Sequence, residues 1–264
     1  QEKVTSQHQY QGLVMGTSWH VSCVSDATIA PQLEAVISKA LDEVDQAMST
    51  YKPDSEISRF SRSSNGISVS APSFYVISVA LDIAKQTNGA FDPTVMPLVN
   101  MWGFGPEANS QSAPTDAAIA SAMKICGWQH LQLSNDSFFV GKDIAELEID
   151  LSAIAKGFGA DSVASALDAS GVTDYMIEVG GEIRVRGNSG KQRPWRLAID
   201  SPNEKNYARI IELTNGAIAT SGDYRNMRIV DGELVSHTIN PNTGRPITHN
   251  LASVSIVAQN CTIA

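Results

Sequence analysis

His237, one of five histidines in this 264-residue chain, could move a proton near neutral pH if it faces a pocket. It stands in the run Ser236-His237-Thr238-Ile239-Asn240-Pro241, at the end of an expected strand and beside a proline turn. An imidazole facing a pocket can act as a general base, whereas one facing the turn only ties it down. Both readings stay open on the residues alone. Ser221, Asp223 and His237 also invite a Ser-His-Asp hydrolase, but the flanks of Ser221 lack the G-x-S-x-G elbow that exposes such a nucleophile. A second locus is Asp150-Leu151-Ser152-Ala153-Ile154-Ala155-Lys156-Gly157, an expected strand-to-helix junction. Free backbone N–H groups and the helix dipole favour a phosphate there, and Lys156 adds a positive charge. The same string also reads as an ordinary capped helix, and it is neither a Walker loop nor GxGxxG. Two further segments, Met15 to Trp19 and Gly89 to Thr94, carry polar and glycine residues that core packing does not demand. Metal-ligand spacing is thin. Asp92, Asp150, Asp161 and Asp223 offer oxygen ligands for a hard cation such as Mg²⁺, against the default of a solvated acid for each.

These residues need elements to hold them. The spacing of Leu33, Val36, Ile37, Ala40, Leu41, Val44 and Met48 predicts an amphipathic helix entered at Pro31 and left before Pro53. Further helices are expected over Ser73–Asn88, capped by Gly89, over Asp116–Cys126, followed by Gly127, and over Ala155–Ser170, closed by Gly171. Leu13–Val24 reads as an early strand, Phe91–Gly105 as an ordered loop, and Ile144–Leu151 as a strand. Short strands follow at Tyr175–Val179, Ile183–Arg186, Trp195–Ile199, Ile210–Leu213, Met227–Val230 and Ser253–Val257. Asn188–Gly190, Asn215–Gly216 and Asp231–Gly232 separate them as turns, the last as a hairpin signal. Helices early and antiparallel-looking strands late argue an α+β fold.

Composition narrows the function. Formal charge is −9, from 19 basic and 28 acidic residues, which disfavours a nucleic-acid partner. No stretch approaches the run of about 18 apolar residues that a membrane span needs. The polar start at Gln1 carries no signal peptide and reads as a mature or trimmed N-terminus. Cys23, Cys126 and Cys261 are too few and too far apart for a disulfide framework or a zinc knuckle, and read as small buried hydrophobes.

Seven strings together resemble one family. They are MGTSW, STYKPDSEISRF, GAFDPTVMPLVNMWGFGP, DLSAIAKGFGAD, EVGGEIRVRG, ATSGDYRN and SHTINPNTGRPI, running from Met15 to about Val257. Their order and spacing resemble the ApbE-type flavin transferases, the FAD:protein FMN transferases once called thiamine-biosynthesis lipoproteins. The resemblance implies a single α+β domain of two lobes, helices packed on mainly antiparallel sheets, with FAD in the cleft. It implies an N-terminal extension over 1–11 and a flavin transferase domain over 12–264. The implied reaction cuts the FAD pyrophosphate, passes FMN to a Thr or Ser hydroxyl of an acceptor protein through a phosphoester, and releases AMP with divalent-metal assistance.

By the same resemblance, His237 would be the base, Tyr51 would stack on the isoalloxazine, and Met15 would line that pocket. Ala90, Phe91 and Asp92 would meet the nucleotide; Asp150, Lys156 and the Ile239 backbone would complete FAD binding; the Ala153 carbonyl would be one Mg²⁺ ligand. Implied acceptors are subunits of Na⁺-pumping quinone reductase or Rnf-type complexes. The implied location is the periplasm, as an inner-membrane lipoprotein anchored through a Cys upstream of Gln1. The family string continues past Ala264 with an Asp and then a Thr or Asp that hold the metal, so the expectation is either of a chain given without the C-terminal end of the family domain or of an incomplete metal site. Two rivals follow: an FAD pyrophosphatase yielding free FMN and AMP, and a non-catalytic flavin-binding protein. Tyr51 favours the transferase over the first, because hydrolytic relatives tend to lose that aromatic.

Overall fold

A computed structural model describes residues 5–106, 112–201, 207–222, 227–249 and 251–264. The chain forms two compact units, one of residues 1–45, 154–222 and 253–264, the other of residues 46–153 and 223–252.

The first unit is built on a six-stranded antiparallel sheet. Its order is β1 (Thr5–Val14), β2 (Thr17–Asp26), β6 (Asp174–Val179), β7 (Glu182–Arg186), β10 (Asn215–Gly222) and β15 (Ser253–Ala258). Alternate side chains Trp19, Val21 and Cys23 of β2 and Tyr175, Ile177 and Val179 of β6 are buried, as a strand with one covered face requires. They pack with Leu33, Ile37 and Leu41 of helix α1 (Ala30–Met48) and with Val163 and Leu167 of helix α6 (Ser152–Ala169). A separate ribbon, β8 (Trp195–Asp200) with β9 (Tyr207–Leu213), adds Trp195 and Leu197 to a small core with Val185 and Ile218.

The second unit holds helices α2 (Glu56–Arg62), α3 (Ala71–Gln86), α4 (Met96–Met101) and α5 (Asp116–Met123). With them come a three-stranded sheet of order β3 (Gly66–Ser68), β5 (Phe139–Lys142), β4 (Leu131–Ser134), the hairpin β11 (Met227–Val230) with β12 (Glu233–Ser236), and the short pair β13 (Ile239–Asn240) with β14 (Arg245–Pro246). Leu98, Trp102, Ile119, Ala122, Val230 and Ile239 form one of its cores. Lys142 is buried there, and desolvation lowers its pKa. Its Nζ donates to the carbonyls of Ser61 and Leu147 at 3.1 and 2.8 Å and lies over the Phe60 ring.

Mixed helix and mainly antiparallel sheet is the architecture expected, and most element positions agree with it. Three do not. The expected strand Leu13–Val24 is a hairpin whose turn falls at Met15-Gly16, both at positive φ (48° and 70°). Ile144–Leu151 alternates, burying Leu147, Ile149 and Leu151, but forms no ladder. Its backbone is met singly instead, Leu147 O by Lys142 and Asp150 N by Pro93 O at 2.7 Å. Period two reports burial, whereas a strand also needs a partner. The expected loop Phe91–Gly105 contains α4, with Pro97 in its first turn, where a missing N–H costs nothing. Asn215–Gly216, expected as a turn, begins β10 opposite Arg186 and Val185. The hairpin signal at Asp231–Gly232 does form the β11–β12 turn, with φ of 50° and 86°.

Candidate functional site

In the first unit, Met15 and Lys156 belong to one corner. Met15 sits at the β1–β2 turn and packs against the core, its Cε close to Gly159 of α6. Lys156, one turn into α6, runs its stem across Gly180, where a Cβ would lie 2.9 Å from Lys156 Cδ and 2.8 Å from Thr17 Cγ2. Gly180 and Gly181, both at positive φ, make the two-residue turn between β6 and β7, which only glycine enters without strain. Glu182 begins β7, and its Oε1 accepts from Lys156 Nζ at 2.6 Å. The Glu182 side chain is 13% exposed, and its Oε2 is buried with no hydrogen-bond partner among the described residues. Burial raises the Glu182 carboxyl above its ordinary value, and the Lys156 ammonium draws it part of the way back. Glu178 braces the same turn: Oε1 accepts from Gly181 N at 2.6 Å and Oε2 contacts His20 Nδ1 at 2.8 Å.

The C-terminal turn packs on the same helix. Gly157 is required there, because a Cβ would lie 2.5 Å from the Cys261 carbonyl oxygen. Asp161 accepts from Cys261 N, Thr262 N and Thr262 Oγ1 at 3.0, 2.8 and 2.6 Å.

The second unit contains three groupings. Asp92 is buried, and its carboxylate accepts from Thr94 N, Thr94 Oγ1 and Trp128 N at 2.8, 2.7 and 3.1 Å. Thr94 Oγ1 in turn accepts from Gly127 N at 2.6 Å. The segment from Ala90 to Thr94 is thereby knotted to Gly127–Trp128, with Ala90 exposed and Phe91 half-buried beside it. Asp150 joins this group through its N–H to Pro93 O, and its Oδ1 accepts from Ser152 N at 2.8 Å, capping the start of α6. Ala153 is exposed in the first turn of that helix.

His237 lies between β12 and β13. The ring of Phe104 meets it edge-on at 6.3 Å between centroids. Phe104 and its neighbours are held from other segments: Arg228 NH1 donates to Gly103 O at 2.6 Å, Arg228 stacks over the Phe104 ring, and Trp102 Nε1 donates to Gly244 O at 2.8 Å. Thus Trp102-Gly103-Phe104, far away in sequence, joins SHTINPNTGRPI around His237, and Ile239 of β13 buries its side chain in the same core. Tyr51 is the third grouping. It is 70% exposed, its N–H donates to Ser49 Oγ, and its loop is fixed by Ser55 Oγ donating to Ser49 O at 2.6 Å.

Of the acids considered as cation ligands, Asp92, Asp150 and Asp161 all spend oxygens on backbone N–H groups, and Asp223 lies outside the described residues. Among the described residues no group of three or more His, Cys, Asp or Glu could hold a metal ion. The side chains present do not by themselves fit a resident Mg²⁺, and the Ala153 carbonyl is a single ligand. Ser221 sits within the β10 ladder opposite Val254. Cys23 and Cys261 are buried, Cys126 is half-buried, and burial pushes the Cys23 and Cys126 thiols up to about 11 and about 12, so all three behave as packing residues. Within EVGGEIRVRG no single residue stands out by type or spacing alone. Glu182 is what such a reading misses, and the available signal was an acid placed directly after a Gly-Gly turn.

This α+β arrangement is that of the flavin transferases. It superposes with a TM-score of 0.89 on a solved structure described as flavin transferase ApbE from Vibrio cholerae, at 41% identity, covering 99% of this chain and 84% of that one. A Pseudomonas stutzeri flavinyl transferase ApbE in its apo form matches with a TM-score of 0.88 at 31% identity, covering 98% of this chain and 81% of that one. The ApbE family matches residues 15–264, and the chain belongs to that family. A V. cholerae protein named FAD:protein FMN transferase is 43% identical over all of this chain and 80% of its own length. One of the same name from Salmonella typhimurium is 42% identical over 94% of this chain and 73% of its own.

Proposed function

We propose that the protein is an enzyme that transfers the FMN half of FAD to a Thr or Ser hydroxyl of an acceptor redox protein, releasing AMP. The observation that carries this reading is that relatives above 40% identity over nearly the whole chain bear the name FAD:protein FMN transferase. The acceptor oxygen attacks the phosphorus of the FMN half. The O–P bond of the phosphoester forms, the bridging P–O bond of the pyrophosphate breaks, and AMP leaves with that oxygen. The acceptor proton goes to the His237 imidazole, because a hydroxyl is a poor nucleophile until a base takes its proton.

FAD contacts are assigned to Met15, Tyr51, Ala90, Phe91, Asp92, Asp150, Lys156 and the Ile239 backbone. Lys156 brings a positive charge to the pyrophosphate, whose negative charge otherwise repels the nucleophile. Tyr51, largely exposed, has a face free for stacking on the isoalloxazine. Asp92 acts through the backbone it shapes, since its oxygens are taken by Thr94 and Trp128. A bound Mg²⁺ would add charge neutralisation at the pyrophosphate. The Ala153 carbonyl would be one of its ligands. Acceptors of the Na⁺-pumping quinone reductase and Rnf types, and a periplasmic, lipid-anchored enzyme, complete the proposal.

The test incubates the protein with FAD, with and without an acceptor domain, in Mg²⁺ and in EDTA, and follows AMP and flavin fluorescence on the acceptor band. AMP that appears only with acceptor, together with a flavin-labelled acceptor, is the expected result. AMP and free FMN at equal rates without acceptor would make it a pyrophosphatase. Equal rates in EDTA would remove the metal.

A further inference from the structure

We propose that Glu182 is a positioning residue for FAD binding, holding the Lys156 ammonium at one fixed place beside the Gly180–Gly181 turn. The inference rests on the reading of Lys156 as an FAD contact and extends it to a residue outside that contact set.

A lysine is ordinarily a flexible four-carbon stem with a strongly hydrated head. Lys156 is not free in that way. Its stem crosses Gly180, where a Cβ would lie within 3 Å of both Lys156 Cδ and Thr17 Cγ2. Its head donates to Glu182 Oε1 at 2.6 Å, with the two side chains only 29% and 13% exposed. The carboxylate is itself placed by a rigid element. Glu182 is the first residue of β7, directly after a turn braced by Glu178 on Gly181 N and by Gly180 N donating to Ser18 O at 3.0 Å.

The second oxygen, Oε2, is buried without a partner among the described residues, which a carboxylate present only for stability would be expected to avoid. An acid half-satisfied in this way, in contact with the ammonium, is explained by what it does to Lys156. It fixes one N–H of the ammonium and thereby the direction of the other two, so ordering of the side chain is complete before FAD arrives. It also offsets the positive charge in the absence of ligand, so the ammonium need not be solvated in place.

The test is a double-mutant cycle on the full chain with Lys156→Ala, Glu182→Gln, Glu182→Ala and the Lys156→Ala/Glu182→Gln pair. FAD dissociation constants come from quenching of flavin fluorescence, with melting temperatures measured on the same samples. Glu182→Gln keeps the side-chain volume and an acceptor oxygen, so it reports even if Glu182→Ala does not fold. The expected result is that Glu182→Gln and Lys156→Ala each weaken FAD binding, and that Glu182→Gln has no further effect once Lys156 is gone. Their coupling should be about tenfold, inside the range for side chains in direct contact. Unchanged FAD affinity in Glu182→Gln, or additive effects in the pair, would overturn the proposal while leaving Lys156 as an FAD contact. A purely structural Glu182 would lower the melting temperature with the dissociation constant unmoved, which also overturns it. Unchanged affinity in Lys156→Ala would instead sink the underlying assignment of Lys156, and Glu182 with it.

Discussion

Two carboxylates beside glycines, half-buried Glu182 in the first unit and buried Asp92 in the second, are handled in opposite ways. Asp92 receives three donors, two from Thr94 and the N–H of Trp128, so its charge is spent on tying one loop to another. Glu182 gives one oxygen to an ammonium and leaves the other unpartnered among the described residues. A carboxylate saturated by backbone N–H groups fixes a shape, because those donors cannot move without unfolding the loop. One matched to a single side-chain cation fixes a charge, and that charge can still serve a ligand. Both are carboxylates largely withdrawn from solvent. What differs is whether the donors belong to the backbone or to a side chain.

The largest expected effect lies in neither carboxylate. His237→Asn should lower FMN transfer by about 10²–10⁴-fold with FAD affinity roughly constant, the range for loss of a general base. A histidine that only packs on Phe104 predicts lost thermal stability with transfer spared. Melting temperature and transfer measured on one preparation separate the two, and a stable, fully active variant excludes His237 as the base.

Next comes Asp92→Asn, which removes the charge and turns an NH₂ group toward at least one of the three donors. It should cost about 2–4 kcal/mol of stability, as expected when buried hydrogen bonds to a charged acceptor are lost. Denaturant titration of Asp92→Asn beside Glu182→Gln tests the contrast directly. Asp92→Asn should lose more stability, and Glu182→Gln more FAD affinity. The reverse ordering would break the comparison.

A smaller change is expected at Tyr51. Tyr51→Ala removes a largely exposed side chain, so stability should stay within about 0.5 kcal/mol. FAD binding should weaken by about 0.5–1.5 kcal/mol, the value of one aromatic stack beyond its buried area. Flavin that is quenched to the same extent at the same affinity would end the stacking role.

The smallest effect is absent at neutral pH. Burial holds the Cys23 thiol at about 11 in the folded chain, against an ordinary value of 9.0. Between those values the folded thiol keeps a proton that the unfolded thiol has lost, so stability contributed by the protonated form declines as pH rises through that window. Cys23→Ala should therefore show a shallower loss of stability from pH 9 to 11 than the parent chain. Identical slopes would mean that other groups control alkaline unfolding.

Much of this was legible in the amino-acid sequence. Helical periodicity located α1, closing glycines and composition located α3, α5 and α6 to within a few residues, and Asp231–Gly232 announced its hairpin, because spacing, caps and positive-φ turns are local properties of the chain. The family strings identified the flavin transferase class without any coordinates. Strand partnership was not local. Ile144–Leu151 has the alternation of a strand and no ladder, whereas Asn215–Gly216 has the look of a turn and pairs with β7. Nor could spacing reveal that Trp102-Gly103-Phe104 would be pinned by Arg228 and Gly244 beside His237, more than a hundred residues away. The sequence by itself determined which residues have the chemistry, since acidity, nucleophilicity and helical period travel with the residue. Only the tertiary structure decided how each charge is used, because the work of a buried carboxylate is set by its donors, and at Glu182 the Lys156 ammonium comes from a distant segment.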